Sequence, residues 1–138
     1  MRLVVGCDEI VAAWMEGQTG RPYRLYYDRE GQPAQAVMGW ADDGALVSAA
    51  YFTNHHPGSI EIHICGRLTR GCVRDAYRYA FGQLKVWRVT ALINRSNKLL
   101  RRKLHKLGFR YEATLKNQYG AEDAIMFRLD RAAAERWM

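Results

Sequence analysis

Residues 89–115 read "VTALINRSNKLLRRKLHKLGFRYEATL", and the reading of this stretch decides the fold. It opens as the end of "VWRVTALI" (86–93), a strand with scarcely any polarity, the composition expected when helices cover both faces of a sheet. "NRS" makes a turn. Leu100, Leu104 and Leu107 then stripe a helix that stops at Gly108, a residue able to take the left-handed cap while Phe109 folds back toward Leu104. The helix is crowded with Lys and Arg. Its leucine stripe is nevertheless needed to bury it on a sheet, so only the outer face remains for an anionic partner.

Working outward, "YEATLKN" and "AIMFRL" read as a closing hairpin around "QYGAED", and "RAAAERWM" as a short terminal helix. Upstream, "TRGCVRDAYRYAFGQL" sets Val73, Tyr77, Ala80, Phe81 and Leu84 at helical spacing. From Leu25 to Cys65 the pattern is an antiparallel meander in which "REGQP", "ADDGA" and "NHHPGS" separate "RLYYD", "AVMGW", "LVSAAYF" and "IEIHIC". "DEIVAAWMEG" reads as a helix with Asp8 as N-cap, Ile10, Val11 and Trp14 on one face, and Gly17 as its stop. The order helix, strands, helix, strand, helix, strands predicts a mixed α/β domain over 1–138, with a mostly antiparallel sheet flanked by helices.

The 138 residues suit one domain with a real core. At 49% hydrophobic and 25% charged the chain is of globular composition. No apolar run approaches the roughly 20 residues of a membrane helix, which points to a soluble, cytoplasmic protein with no membrane partner. Cys7, Cys65 and Cys72 form no C-x-x-C pair, and no i, i+4 pair of histidines accompanies them, so neither a disulfide framework nor a metal is expected. A net charge of +7 implies affinity for polyanions. No Asp or Glu lies between Asp75 and Glu112, so an anion site belongs in that interval. Trp40 and Trp137 are the candidates for a homodimer contact.

The segment 89–115 resembles the second half of GNAT-fold N-acetyltransferases, above all the ribosomal-protein N-terminal acetyltransferase branch. The likeness rests on Asn97 near the helix start, on "KLGF" at Lys106 to Phe109 and on "RYE" at Arg110 to Glu112. "AAYFTNHHPGSIEIHI", "LTRGCVRDAYRYAFGQL" and the Arg-Trp near the end are similar to small members encoded by phages and prophages. The resemblance implies a GNAT-like acyl-CoA N-acyltransferase fold, acetyl-CoA as co-substrate and a primary amine as acceptor, with nucleic acid not the expected partner. In the family the pyrophosphate sits at the helix following the fourth strand, where unpaired N–H groups favour anions. The motif Q/R-x-x-G-x-G/A falls on Leu68, Gly71 and Val73, with Gly71 on its central glycine. Backbone amides from Leu68 to Val73, Cys72 included, the Thr69 hydroxyl and the charges of Arg67 and Arg70 would bind the cofactor. Asn97 would meet the pantetheine arm.

Acetyl transfer needs a base for the ammonium and a donor for the developing oxyanion. The resemblance implies a backbone N–H near Ile64 as that donor. In "SIEIHIC" Ile60, Ile62 and Ile64 share one face, and Glu61, His63 and Cys65 the other. Either the second face opens into a cleft or Glu61 and His63 form a buried structural pair. In a cleft, Glu61 is the preferred base and His63 a second base or water-orienting group, whereas His55 and His56 read as ordinary loop residues. Leu104 stands where the family often carries a Tyr acid, leaving Tyr111 and Tyr119 as substitutes. The alternative is a catalytically weak or inactive GNAT-like module that binds CoA, a protein or nucleic acid through its basic half.

Overall fold

The structure, a computed structural model, describes residues 1–21, 23 and 36–138. The expected strand "RLYYD" and turn "REGQP" lie outside the described residues. The strands are β1 (Arg2–Val4), β2 (Ala36–Asp42), β3 (Ala45–His56), β4 (Ser59–Gly66), β5 (Arg88–Asn94), β6 (Arg110–Tyr119) and β7 (Glu122–Asp130). They form one sheet in the spatial order β1-β2-β3-β4-β5-β7-β6. β4 and β5 run parallel and every other neighbouring pair is antiparallel. This is the mixed, mostly antiparallel α/β architecture expected from the residue pattern. β1, which pairs Arg2–Val4 with Ala41–Gly39, is an edge strand that the sequence reading did not assign.

Helices lie on both faces. α1 (Asp8–Thr19) packs Val11 and Met15 onto Val37, Ala49 and Tyr51. On the other face α2 (Arg70–Tyr77), its π-helical continuation Arg78–Gln83, α3 (Lys98–Lys106) and α4 (Arg131–Glu135) enclose the larger core. Phe52, Phe81 and Phe109 are each at most 2% exposed, and full burial of such a side chain stabilises by roughly 1.5–3 kcal/mol. Because α1 sits over β2, β3 and β4, β5 is not covered equally on its two sides. Val89, Ala91 and Ile93 are buried while Thr90 and Leu92 are half-buried, which corrects the expectation of helices over both faces.

α1 departs from the reading in three details. Its N-cap is Cys7, with Asp8 and Glu9 in the first turn, where carboxylates face the positive end of the helix dipole. Gly17 is inside the helix, and the stop is Gly20, at φ 72, whose N–H donates to Glu16 O at 2.8 Å. Ile10 is 66% exposed, because the arc facing the sheet runs through Val11, Ala12 and Met15. Trp40 is no dimer contact. It is 3% exposed, and its indole N–H donates to Asp75 Oδ2 at 2.9 Å.

The turns are tighter than their sequence windows. Asp43 (φ 51) and Gly44 (φ 80) join β2 to β3 in the two-residue manner that positive φ at both positions allows. β3 runs on through His56, so Pro57 and Gly58 alone make the next turn, and Gly120 with Ala121 joins β6 to β7. α3 ends as expected. Gly108 (φ 103) donates its N–H to His105 O and Phe109 donates to Leu104 O at 3.0 Å, the paired bonds of a Schellman cap. Glu112, at the start of β6, is held by Arg88 and Arg128 from β5 and β7.

One glycine ends β4. Gly66 has φ 91, and a Cβ there would fall 2.3 Å from Val47 O and 2.7 Å from Ser48 Cα, both immovable backbone. Gly71 has no such constraint, its nearest atom being Thr69 Oγ1 at 3.8 Å. Gly66→Ala should therefore cost about 2–3 kcal/mol and Gly71→Ala less than about 0.5 kcal/mol in urea unfolding. Equal effects of the two substitutions would contradict this account of the strand end.

Candidate functional site

β4 and β5 pair at only three positions, Ser59–Arg88, Ile60–Val89 and Glu61–Thr90. Both strands continue, β4 held by β3 as far as Ser48–Gly66 and β5 held by β7 as far as Asn94–Ala124. Each strand follows its outer neighbour and the inner edges part. The gap is a cleft of about 640 Å³ lined by Ile62 and Ile64 from one face of β4 and by His63 and Cys65 from the other. Ala91 and Ile93 of β5 form the opposite wall. Since residues of both faces line it, the cleft passes between the strands from one side of the sheet to the other.

The backbone edge of β4 is oriented into this gap. Arg67 N–H donates to Val47 O at 2.9 Å, and antiparallel pairs alternate between bonded and non-bonded. In that register Glu61, His63 and Cys65 spend their backbone groups on β3, whereas Ile62, Ile64 and Gly66 turn theirs toward β5. Beyond Glu61–Thr90 no β5 partner remains. The Ile64 N–H is thus a donor aimed into the cleft.

At the wide end the chain turns into α2. Thr69 is its N-cap, with Oγ1 accepting from Cys72 N–H at 3.3 Å, and Val73 N–H donates to Thr69 O at 3.1 Å. Cys72 and Val73, placed in the anion loop by the sequence reading, therefore have their amides occupied and their side chains buried. Among the described residues the N–H groups of Arg70 and Gly71 have no hydrogen-bond partner, and these are the donors that a helix start offers an anion. Leu68 lines the cleft. Arg67 pairs with Asp42 at 3.0 Å, and Arg70 lies over the Trp137 ring at 5.1 Å, so both are drawn to neighbours outside the cleft. Arg74, which sequence reasoning missed, has its Nη2 3.9 Å from the position of a Cβ on Gly71, overhanging the first turn. Its spacing, one turn beyond Arg70 and Gly71, is the signal that could have found it.

The acid–base pair divides between the two alternatives. Glu61, at the last paired position, is 8% exposed and is not among the residues lining the cleft. His63 does line it, and its Nε2 lies 3.9 Å from Glu61 Oε2. The face is closed at Glu61 and open at His63. Tyr51 and Tyr23 present ring edges to the imidazole at centroid distances of 5.7 and 6.4 Å. Tyr23 also lines the cleft, and burial raises its phenol pKa. Burial likewise pushes the Cys65 thiol up to about 11. His55 and His56 are exposed at the end of β3, where His56 Nε2 meets Asn54 Oδ1 at 3.0 Å.

α3 borders the cleft with its N-terminal half. Asn97 caps it, Oδ1 accepting from Leu100 N–H at 3.2 Å, and lines the cleft with its two amide donors still available. Capping and ligand contact are compatible uses of one side chain. Leu104, 0% exposed, contributes methyl groups and no hydroxyl to the cleft wall. Neither Tyr substitute lines the cleft. Tyr111 bonds the Thr114 hydroxyl on β6, and Tyr119 lies beneath Arg21, whose guanidinium carbon is 5.0 Å from the ring centroid. Arg21 also donates to Asn94 Oδ1, and Asn94 Nδ2 donates to Glu122 Oε2 at 3.1 Å. This network ties the end of α1 to the mouth of the cleft. Bonds from the Ser96 hydroxyl and backbone N–H, with Asn94 and Arg21 assisting, hold the Glu122 carboxyl below its ordinary range.

Among the described residues no group of three or more His, Cys, Asp or Glu could hold a metal, and no helix is long and apolar enough to cross a membrane. No protein-family model and no curated protein sequence matches the chain. Solved structures share its fold. A mutant of spermidine N-acetyltransferase SpeG from Vibrio cholerae matches with a TM-score of 0.77 at 13% identity, covering 100% of this chain and 98% of that one. N-acetyltransferase PseH from Campylobacter jejuni, in complex with acetyl coenzyme A, gives 0.57 at 19% identity over 69% of this chain and 67% of that one. A GNAT-family acetyltransferase from Bacillus anthracis gives 0.59 at 17% identity over 68% of this chain, and the chain spans only 65% of that protein. The fold is that of GNAT acetyltransferases.

The Cys65 shift has a chemical consequence. A thiol whose folded pKa lies above its unfolded value stays neutral through pH 8, and the stability tied to that neutral form is lost progressively as pH rises from the ordinary thiol value of 9.0 through about 11. Iodoacetamide at pH 8 should label exposed Cys7 well ahead of Cys65, with denaturant abolishing the difference in peptide mass spectra.

Proposed function

We propose that the protein is an N-acetyltransferase that moves an acetyl group from acetyl-CoA to a primary amine, whether a protein N-terminus, a lysine or a small molecule. The observation that carries this reading is the parted β4–β5 edge, with an open N–H at Ile64, an anion-ready helix start at one end and an imidazole in its wall. Acetyl-CoA as co-substrate supplies the thioester carbon that the amine attacks directly. The N–H groups of Arg70 and Gly71, with Leu68 and Thr69 beside them, are positioned for the pyrophosphate, and Arg74 adds charge there. Asn97 is positioned for the pantetheine amides. His63 takes the proton from the acceptor ammonium, directly or through water, and Glu61 behind it steadies the imidazole as it gains charge. The Ile64 N–H meets the oxygen that becomes negative.

The sequence resemblance to small phage- and prophage-encoded members and to the ribosomal-protein branch belongs to the same reading, as does a cytoplasmic location. One observation favours the second reading, a GNAT-like module that binds acyl-CoA with little turnover. Leu104 offers no proton to a departing thiolate, and Tyr77, the nearby buried phenol, is spent on Leu107 O at 2.9 Å. Under the first reading water supplies that proton.

Calorimetric titration with acetyl-CoA should give saturable binding that Asn97→Ala weakens about tenfold, the worth of a hydrogen bond or so. In an acetyl-transfer assay over a panel of amines, His63→Ala should lower kcat by about 10²–10⁴ while acetyl-CoA binding persists. Absence of binding by the folded protein would sink both acyl-CoA readings and leave only a module that binds a protein or nucleic acid. Binding without turnover on any amine would select the second.

A further inference from the structure

We infer that the outer face of α3 is a separate binding surface for single-stranded nucleic acid. At 100° per residue, Leu99, Leu100, Lys103 and Leu104 occupy the arc of α3 that borders the cleft. Lys98, Arg101, Arg102, His105 and Lys106 occupy the opposite arc, and with Phe127 of β7 they line a second cavity of about 440 Å³. The two sets share no residue. The helix itself stands between them, so phosphates of a ligand in the cleft do not account for the charge on the outer face.

A solvated basic face is the ordinary fate of surface Lys and Arg, and among the described residues Arg74, Lys85, Arg110 and Arg136 are likewise exposed and in no ion pair, but they lie on separate elements, whereas on α3 the cations are gathered on one arc beside a cavity. Among the described residues none of the five basic residues on the outer arc of α3 is in an ion pair. Four permanent cations along a helix face about 13 Å long form an uncompensated stripe, and a polyanion supplies the complementary charge. Aromatic surface selects which polyanion. Tyr111 is paired in register with Phe127, shares its face of the sheet, and is 58% exposed beside the groove. A ring next to a cationic track is what unpaired bases stack on, and a carboxylate-rich peptide has no comparable use for it.

The test is fluorescence anisotropy with labelled 12-nucleotide RNA and DNA single strands, titrated across salt in the presence of saturating acetyl-CoA. Binding should persist with acetyl-CoA present, with log K falling against log salt at a slope of about −3 for four phosphates neutralised. Arg102→Gln with Lys106→Gln should reduce the slope by about 1.4 and weaken binding to both strands. Arg102→Lys with Lys106→Arg should leave the slope intact, and Tyr111→Ala should weaken binding without changing it. A preference between the strands would show whether the 2′-hydroxyl is read, both outcomes being phosphodiester binding. Displacement by acetyl-CoA would overturn the proposal by returning the anion site to the cleft. Equal competition by poly-glutamate would assign the face to acidic protein, and an unchanged slope in the Gln double variant would remove α3 from the site.

Discussion

The candidate site depends on how little of β4 is paired to β5. Three residue pairs fasten the parallel strands at Ser59–Glu61, and past that point each strand is held only from outside. A parallel pair requires a crossover, and the crossover is α2, whose start is thereby delivered to the wide end of the opening. Strand edge, helix start and cleft wall are one consequence. Gly66 makes the geometry sharp, since the chain leaves β4 at φ 91 with Val47 and Ser48 against its α-carbon.

α3 is the second organising piece, because it separates two environments. Its buried line at Leu104, fixed by the Schellman cap and by Phe109, seals the larger core. One flank borders the cleft and carries Asn97 at its head, while the other is a row of cations with no carboxylate partner among the described residues. The same nine-residue helix can serve core packing, a cleft wall and a charged surface because 3.6 residues per turn gives it three faces.

The chemistry on the α1 side follows from register. Glu61 sits at the last paired position and His63 just beyond it, so the point where the β4–β5 pairing stops decides that His63 and not Glu61 lines the cleft. Around His63 the walls are aromatic and nonpolar, with Tyr51 and Tyr23 edge-on and the Cys65 thiol held neutral by burial. Such surroundings strengthen any charge interaction made inside them.

The sequence by itself determined the alternation of strand and helix, the Gly108 stop, the Phe109 return, a turn within "ADDGA" and the position of Asn97, because these depend on periodicity and local backbone preference. It also placed Glu61 and His63 on one face. It did not reveal β1, the burial of Trp40 or the capture of Arg67 by Asp42, since each depends on a partner distant in the chain. Nor did it show that Cys72 and Val73 turn inward while Arg74 overhangs the helix start, which depends on where the cap falls. Only the tertiary structure decided that β4 and β5 part after Glu61, and so which residues look into the cleft. Strand divergence is set by the two outer neighbours of the pair, and no property of a single strand encodes the path of its neighbour's neighbour.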